Sequence, residues 1–153
     1  LNPSFIVADE PVSMLDVSVR ADIINMLLEI TRKKNTSMVF ISHDLATTRY
    51  ISNRVLVMYL GRVVECGETD QVLHNPIHPY TRALLSHCAS IDPDEVREQI
   101  EVPGEPPAVQ GERKGCCFAP RCYMACDRCF EERPLLTETE KGHEAACLRM
   151  AAE

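Results

Sequence analysis

Acidic, imidazole and thiol side chains fall in this sequence at spacings that suit chemistry. Asp9 and Glu10 end the apolar run Phe5 to Ala8, with Pro11 directly behind them. Asp16 follows in the stretch SMLD, and His43 and Asp44 close a second apolar run in the stretch ISHD. Acidic groups at the carboxyl end of a buried strand stand where open α/β sheets bind their ligands. The plainer alternative is that Asp9 caps the next element and Glu10 is solvated. The thiols are unevenly spread: Cys66 and Cys88 stand alone, whereas Cys116, Cys117, Cys122, Cys126, Cys129 and Cys147 crowd the last third. In a reducing compartment such a cluster points to a metal more than to disulfides.

These groups need elements to position them. Phe5 to Ala8 and Met38 to Ile41 read as strands buried on both faces. Between them Ile23, Met26, Leu27 and Ile30 recur at helical spacing, which predicts a helix from Val17 to about Lys34. Strand, helix and strand of these lengths make a crossover unit with parallel strands. A shorter helix is expected from Asp44 to about Ile51, then a hairpin over Arg54 to Gly67 turning at Leu60 and Gly61. Two further helices, Thr69 to Leu73 and Tyr80 to Cys88, flank the stiff stretch NPIHPY. His74, His78 and His87 read as surface or cap histidines rather than metal ligands. Residues 90–114 are rich in Pro, Glu and Asp and read as an extended linker. The tail, residues 115–153, lacks the apolar periodicity for a core of its own, so a metal is expected to supply the missing stability.

The chain has 153 residues, is 45% hydrophobic and carries a formal charge of −7, which argues against nucleic acid as its partner. No apolar run approaches membrane-spanning length, and no signal peptide is visible.

The order hydrophobic-DEP, S-x-LD, helix, hydrophobic-SHD resembles the second half of an ABC-type ATP-binding cassette, from the start of the chain to Gly67. That resemblance implies an α/β fold, a partial P-loop NTPase with a parallel sheet, helices and a β-hairpin, followed by a small cysteine-rich metal-binding tail. It implies that Asp9 holds Mg²⁺ through water. Glu10 is then the carboxylate that polarises the attacking water, and His43 the histidine that contacts the γ-phosphate of ATP. Asp16 takes the place of the D-loop aspartate at a dimer interface, a role compatible with capping the helix that begins near Val17. Met14 departs from the family, which usually has Ala there. The Gly-rich phosphate loop, the glutamine loop and the LSGGQ-type signature do not occur in this sequence. The chain is therefore expected to be the C-terminal portion of a longer subunit, inactive alone.

YLGRVVECG followed by NPIHPYTRALL is similar to the C-terminal extension of ATPases that power oligopeptide, dipeptide and nickel importers. The same family carries GC-x-F-x-P-RC and a later His-x-x-x-Cys, here Gly115, Cys116, Phe118, Pro120, Arg121, Cys122, then Cys129, and His143 with Cys147. Some members hold a [4Fe-4S] cluster on such a set, which implies Cys116, Cys122, Cys129 and Cys147 as ligands. Zinc is the alternative, because Cys126 and Cys129 form a C-x-x-C pair. Cys117 and Cys126 depart from the family pattern. The cassette part is expected over residues 1–89, with the transporter extension starting near residue 68. The expected setting is the cytoplasmic face of the membrane. There a second ATPase subunit and the transmembrane permease subunits are partners, with a solute-binding protein engaged indirectly. The competing reading is a metal-binding regulatory or interaction module on a cassette remnant.

Overall fold

The computed structural model describes residues 2–88, 98–107 and 114–150. Two compact units divide the chain, one over Leu1–Asn53 and one over Arg54–Glu153.

The first unit is the expected crossover. Strand β1 (Phe5–Asp9) leads to helix α1 (Val17–Lys34), then strand β2 (Ser37–Ile41) and helix α2 (Leu45–Ile51). β1 and β2 run parallel, with Phe5 opposite Ser37 and Asp9 opposite Ile41. Asp16 caps the start of α1, Asn35 ends it in the left-handed conformation at φ 48°, and Arg32, Lys33 and Lys34 meet the negative end of its dipole. Val12, Ile24 and Ile51 form the core, with Leu27, Leu28, Met38 and Phe40 packed against it.

Two expectations are corrected here. The inward stripe of α1 runs through Ile24, Leu27 and Leu28, and Met26 lies outside it, 46% exposed. The strands are packed on one face only: Phe5, Val7, Val39 and Ile41 are 45–60% exposed. Alternation along a strand sends those side chains to the face opposite Met38 and Phe40. A fully apolar strand signals two covered faces, and this unit supplies one cover.

The second unit is built on the antiparallel sheet β3-β4-β6-β5. Strands β3 (Arg54–Tyr59) and β4 (Arg62–Glu68) form the hairpin; helices α3 (Thr69–His74) and α4 (Pro79–Ser86) follow it. Leu60 and Gly61 both take positive φ, 47° and 75°, the backbone that lets a two-residue turn match strand twist. Residues 98–107 form neither helix nor strand. The rest of the expected linker, residues 90–97 and 108–113, lies outside the described residues. Beyond it come a 3₁₀ turn (Ala119–Arg121), helix α5 (Asp127–Glu131) and strands β5 (Thr137–Glu140) and β6 (His143–Ala145).

The tail shares the hairpin's core rather than standing apart. β6 pairs with β4, placing Ala145 opposite Glu65. Phe118, fully buried, joins Val55, Val57, Tyr59, Val64 and Val72. Its ring meets Tyr59 edge-on at 5.2 Å and Tyr80 at 5.4 Å, geometries that favour aromatic pairs. Among the described residues no helix is long and apolar enough to cross a membrane.

Candidate functional site

Parallel pairing sends the chain out of β1 and β2 at the same edge. One step past the ladder, the Glu10 N–H donates to the Ile41 carbonyl at 3.0 Å. Glu10 sits at φ 44°, a left-handed conformation that a non-glycine residue keeps only when its surroundings hold it. They do so here: its carbonyl accepts from the Ser13 N–H at 3.3 Å and from Ser13 Oγ at 3.0 Å. The turn aims the carboxylate at His43, whose Nδ1 lies 3.2 Å from Glu10 Oε1. The His43 side chain is 75% exposed and that of Glu10 48%, so the pair looks outward. Asp9, beside it, is also exposed.

Asp16 caps α1, accepting from the Val19 N–H at 3.0 Å and from Ser18 Oγ at 2.9 Å. Those two bonds, the first above all, hold its carboxyl below the usual carboxylate range. Two residues that the sequence reading gave no role bind these loops together. Arg20 Nη1 donates to Asp44 Oδ2 at 3.1 Å, and its Nη2 to the Leu15 carbonyl at 3.4 Å. Asp44 in turn caps α2, accepting from the backbone N–H groups of Ala46 and Thr47 and from Thr47 Oγ1. Burial pushes the Asp44 carboxyl up, but the Thr47 and Ala46 bonds and the Arg20 charge together outweigh it and leave it lowered. No local signal in the sequence marks this clamp, whose partners lie 24 residues apart.

In the second unit a glycine decides where the thiols go. A Cβ on Gly115 would stand 2.4 Å from the Cys129 carbonyl oxygen, so only glycine lets the two backbones meet. The contact is locked by the Cys116 N–H donating to that carbonyl at 2.8 Å. From there the 3₁₀ turn carries the chain to Cys122, with Arg121 anchored on the Pro103 carbonyl at 3.1 Å.

Cys116, Cys122, Cys129 and Cys147 share one neighbourhood. Cys122 is pushed up to about 11, chiefly by burial and then by charges on the other three. Burial also raises Cys147 and Cys129, and Cys116 adds to both. Cys117 points elsewhere, its thiol 3.8 Å from the Tyr59 carbonyl in the hairpin core. It is also hydrogen-bonded to Cys116; that bond and burial push Cys116 up to about 12. Cys126 Sγ lies 3.6 Å from Cys129 Sγ. Among the described residues no three His, Cys, Asp or Glu side chains gather as ligands to a metal ion.

Glu65 is the residue that the sequence reading overlooked. Wholly buried, it accepts from the Ile77 and His78 N–H groups at 2.8 and 2.9 Å and lies 2.8 Å from His143 Nε2. One carboxylate thereby joins β4, the HPY loop and β6. The only sequence clue is a glutamate inside the apolar run VVECG. His78 does cap α4, but it is 1% exposed rather than at the surface.

The hairpin, the HPY loop and the cysteine turns coincide with a known unit, since residues 64–129 match the model of the oligopeptide/dipeptide transporter C-terminal region. Residues 64–129 are thus similar to that transporter family's C-terminal region. It is 46% identical over 150 residues to the dipeptide transport ATP-binding protein DppF of Haemophilus influenzae, covering 98% of this chain and 46% of the relative. With the oligopeptide transport ATP-binding protein OppF of Escherichia coli it shares 47% identity over 152 residues, 98% of this chain and 45% of the relative. A putative peptide import ATP-binding protein of Brucella ovis is 47% identical over 149 residues, 97% of this chain and 47% of the relative. The chain thus spans about half the length of these curated relatives. The matched region holds Glu65 and two of its partners, the Ile77 and His78 N–H groups.

Proposed function

We propose that this chain is the C-terminal part of an ATP-hydrolysing subunit that energises import of oligopeptides or dipeptides. The observation that carries the reading is the meeting of Glu10 and His43 at 3.2 Å on a shared parallel-sheet edge, with Asp9 alongside. Three exposed polar groups converge there, and the relatives are named as ATP-binding proteins of peptide transport.

The donors fit a nucleotide with its metal. Asp9, an exposed carboxylate at a strand end, suits a hard cation that keeps its water. Bound Mg²⁺ would neutralise the charge that builds up on the phosphates. Glu10 orients the attacking water and takes its proton, and His43, held by Glu10, offers its free ring edge to the γ-phosphate. Asp16 faces a second ATPase subunit across the dimer interface. The bare apolar face of β1 and β2 supports a further layer of the cassette over it. Permease subunits, a solute-binding protein acting indirectly and the cytoplasmic membrane face complete the setting. In the complete subunit, Glu10→Gln should abolish turnover while ATP still binds; near-normal hydrolysis removes Glu10 from this role. ATPase activity by the 153-residue chain alone would overturn its reading as a partial site.

For the thiols we propose a [4Fe-4S] cluster on Cys116, Cys122, Cys129 and Cys147. Cys122 feels the charge of the other three, and Cys116 acts on Cys129 and Cys147. A cluster suits four separate thiolates, because each binds a different iron. Its place beneath the shared core fits a structural clip. Iron and sulfide in anaerobically purified protein are the expected result, and a colourless zinc protein refutes it.

A further inference from the structure

Cys126 lies outside the four-cysteine set, yet it stands against one of its members. Its Sγ lies 3.6 Å from the Sγ of Cys129, and both are free thiols. The backbone holds the two at this spacing. Cys126 caps α5 in extended conformation, at φ −128° and ψ 170°, and its carbonyl accepts the Cys129 N–H at 2.8 Å. Cys129 is fixed from its other side, since its carbonyl accepts the Cys116 N–H at 2.8 Å and Gly115 presses on the same oxygen. The sulfurs of a disulfide stand about 2.0 Å apart, so about 1.6 Å remains to close, within the reach of side-chain rotation. Other thiols are engaged elsewhere: Cys66 bonds to Glu144 Oε2 at 3.3 Å, Cys88 to the Leu84 carbonyl at 3.5 Å and Cys117 to the Tyr59 carbonyl. Cys126 is half-buried, whereas Cys129 is 6% exposed, so a reagent from solvent meets Cys126 first.

We propose that Cys126 and Cys129 form a thiol–disulfide exchange site that reacts with low-molecular-weight disulfides such as oxidised glutathione. The Cys126 thiolate attacks one sulfur of the small disulfide; that S–S bond breaks, and the departing half takes up a proton and leaves as a thiol. Cys129 then gives up its proton and attacks the Cys126 sulfur, displacing the second half as a thiol. In sum, two protein thiols are oxidised to one disulfide, and one small disulfide is reduced to two thiols. Excess small thiol runs the same steps backward. The site stands apart from the iron–sulfur reading and bears on it in one way: a Cys129 bonded to Cys126 is withdrawn from any metal.

Trypsin separates the two cysteines, because it cuts after Arg128 but not between Arg133 and Pro134. Cys126 then falls in the peptide 122–128 and Cys129 in the peptide 129–141. The whole chain, freed of metal by a chelator, is equilibrated with oxidised glutathione, trapped with N-ethylmaleimide and digested. Mass spectrometry should find the two peptides joined, and excess reduced glutathione should separate them. Peptide 122–128 also carries Cys122, so two variants assign the bond. Cys122→Ser should keep the joined pair. Cys126→Ser should lose it, and serine, itself a good N-cap, keeps α5 in place. Cys129→Ser should stop at one glutathione on Cys126. Peptides that never join, that stay joined in Cys126→Ser, or that join only when Cys122 is present overturn the proposal. Because the chain is free of metal in this experiment, failure of the cluster reading leaves the result untouched.

Discussion

The two units handle polar groups in opposite ways. In residues 1–53 the groups with chemical potential face outward: the His43 side chain is 75% exposed, Glu10 48%, and Asp16 is held only by local bonds. Among the described residues from 54 onward, three polar side chains are turned inward, with Glu65 and His143 at 0% exposure and His78 at 1%. An exposed carboxylate on a strained turn serves something brought to it. A buried carboxylate with every partner supplied by its own chain serves the fold.

The sharpest way to break this contrast is Glu65→Ala. It strands two backbone N–H groups and the His143 ring, and removing one partner of a buried pair costs about 3–5 kcal/mol. Hydrogen exchange should show amides of residues 54–150 losing protection while those of residues 2–53 keep theirs; loss shared by both would erase the distinction. Next in size is Gly115→Ala, whose Cβ would press on the Cys129 carbonyl. Overpacking of this kind costs about 1–3 kcal/mol. It should show as a lowered melting temperature and reduced iron and sulfide uptake.

In the first unit, Asp44→Ala removes the cap of α2 and leaves Arg20 without its carboxylate, a loss of about 1 kcal/mol. Exchange should accelerate at Ala46 and Thr47 first. If residues 54–150 respond equally, the units are not independent in stability.

The smallest effects are in pH, and they have opposite signs. The Asp44 carboxyl is lowered by folding, so its contribution is full above its ordinary value and is lost as pH falls through the folded one. Cys66 is raised, chiefly by burial and then by its bond to Glu144. Its contribution is present below the ordinary thiol value and is lost as pH rises through the folded one. Acid should therefore loosen residues 2–53 first and alkali residues 54–150, as read by exchange at matched temperatures.

Much of the first unit was legible because its signals are local. The span of α1, its cap at Asp16 and the parallel partnership of β1 and β2 follow from periodicity and from the length of the crossover. The hairpin and its turn at Gly61 were equally plain. What the sequence misreported was cover: the strands read as buried on both faces, and Phe5 and Val7 are not. Hydrophobicity records what a strand is suited to meet, and this unit brings α1 to one side only. The Arg20 clamp was hidden because its partner lies 24 residues away and nothing local marks the pair.

The cysteine set shows the same division. The family resemblance implied four positions, but it could not say where the adjacent Cys117 thiol turns. Cys117 is sent to the Tyr59 carbonyl because Phe118 must enter the hairpin core, which fixes the direction of the turn that precedes it.

By itself the sequence determined the crossover, the hairpin, the strand ends carrying Asp9, Glu10 and His43, and the cysteine spacing. Those depend on interactions within a few residues or on a repeating apolar pattern. Tertiary structure alone decided that Glu10 would turn through a left-handed backbone to meet His43, that the tail would share the hairpin's core, and that Glu65 would bind three separate segments. Each of these brings together partners that are unmarked until the chain has folded, and the bonds of Glu65 gain strength from the exclusion of water around them.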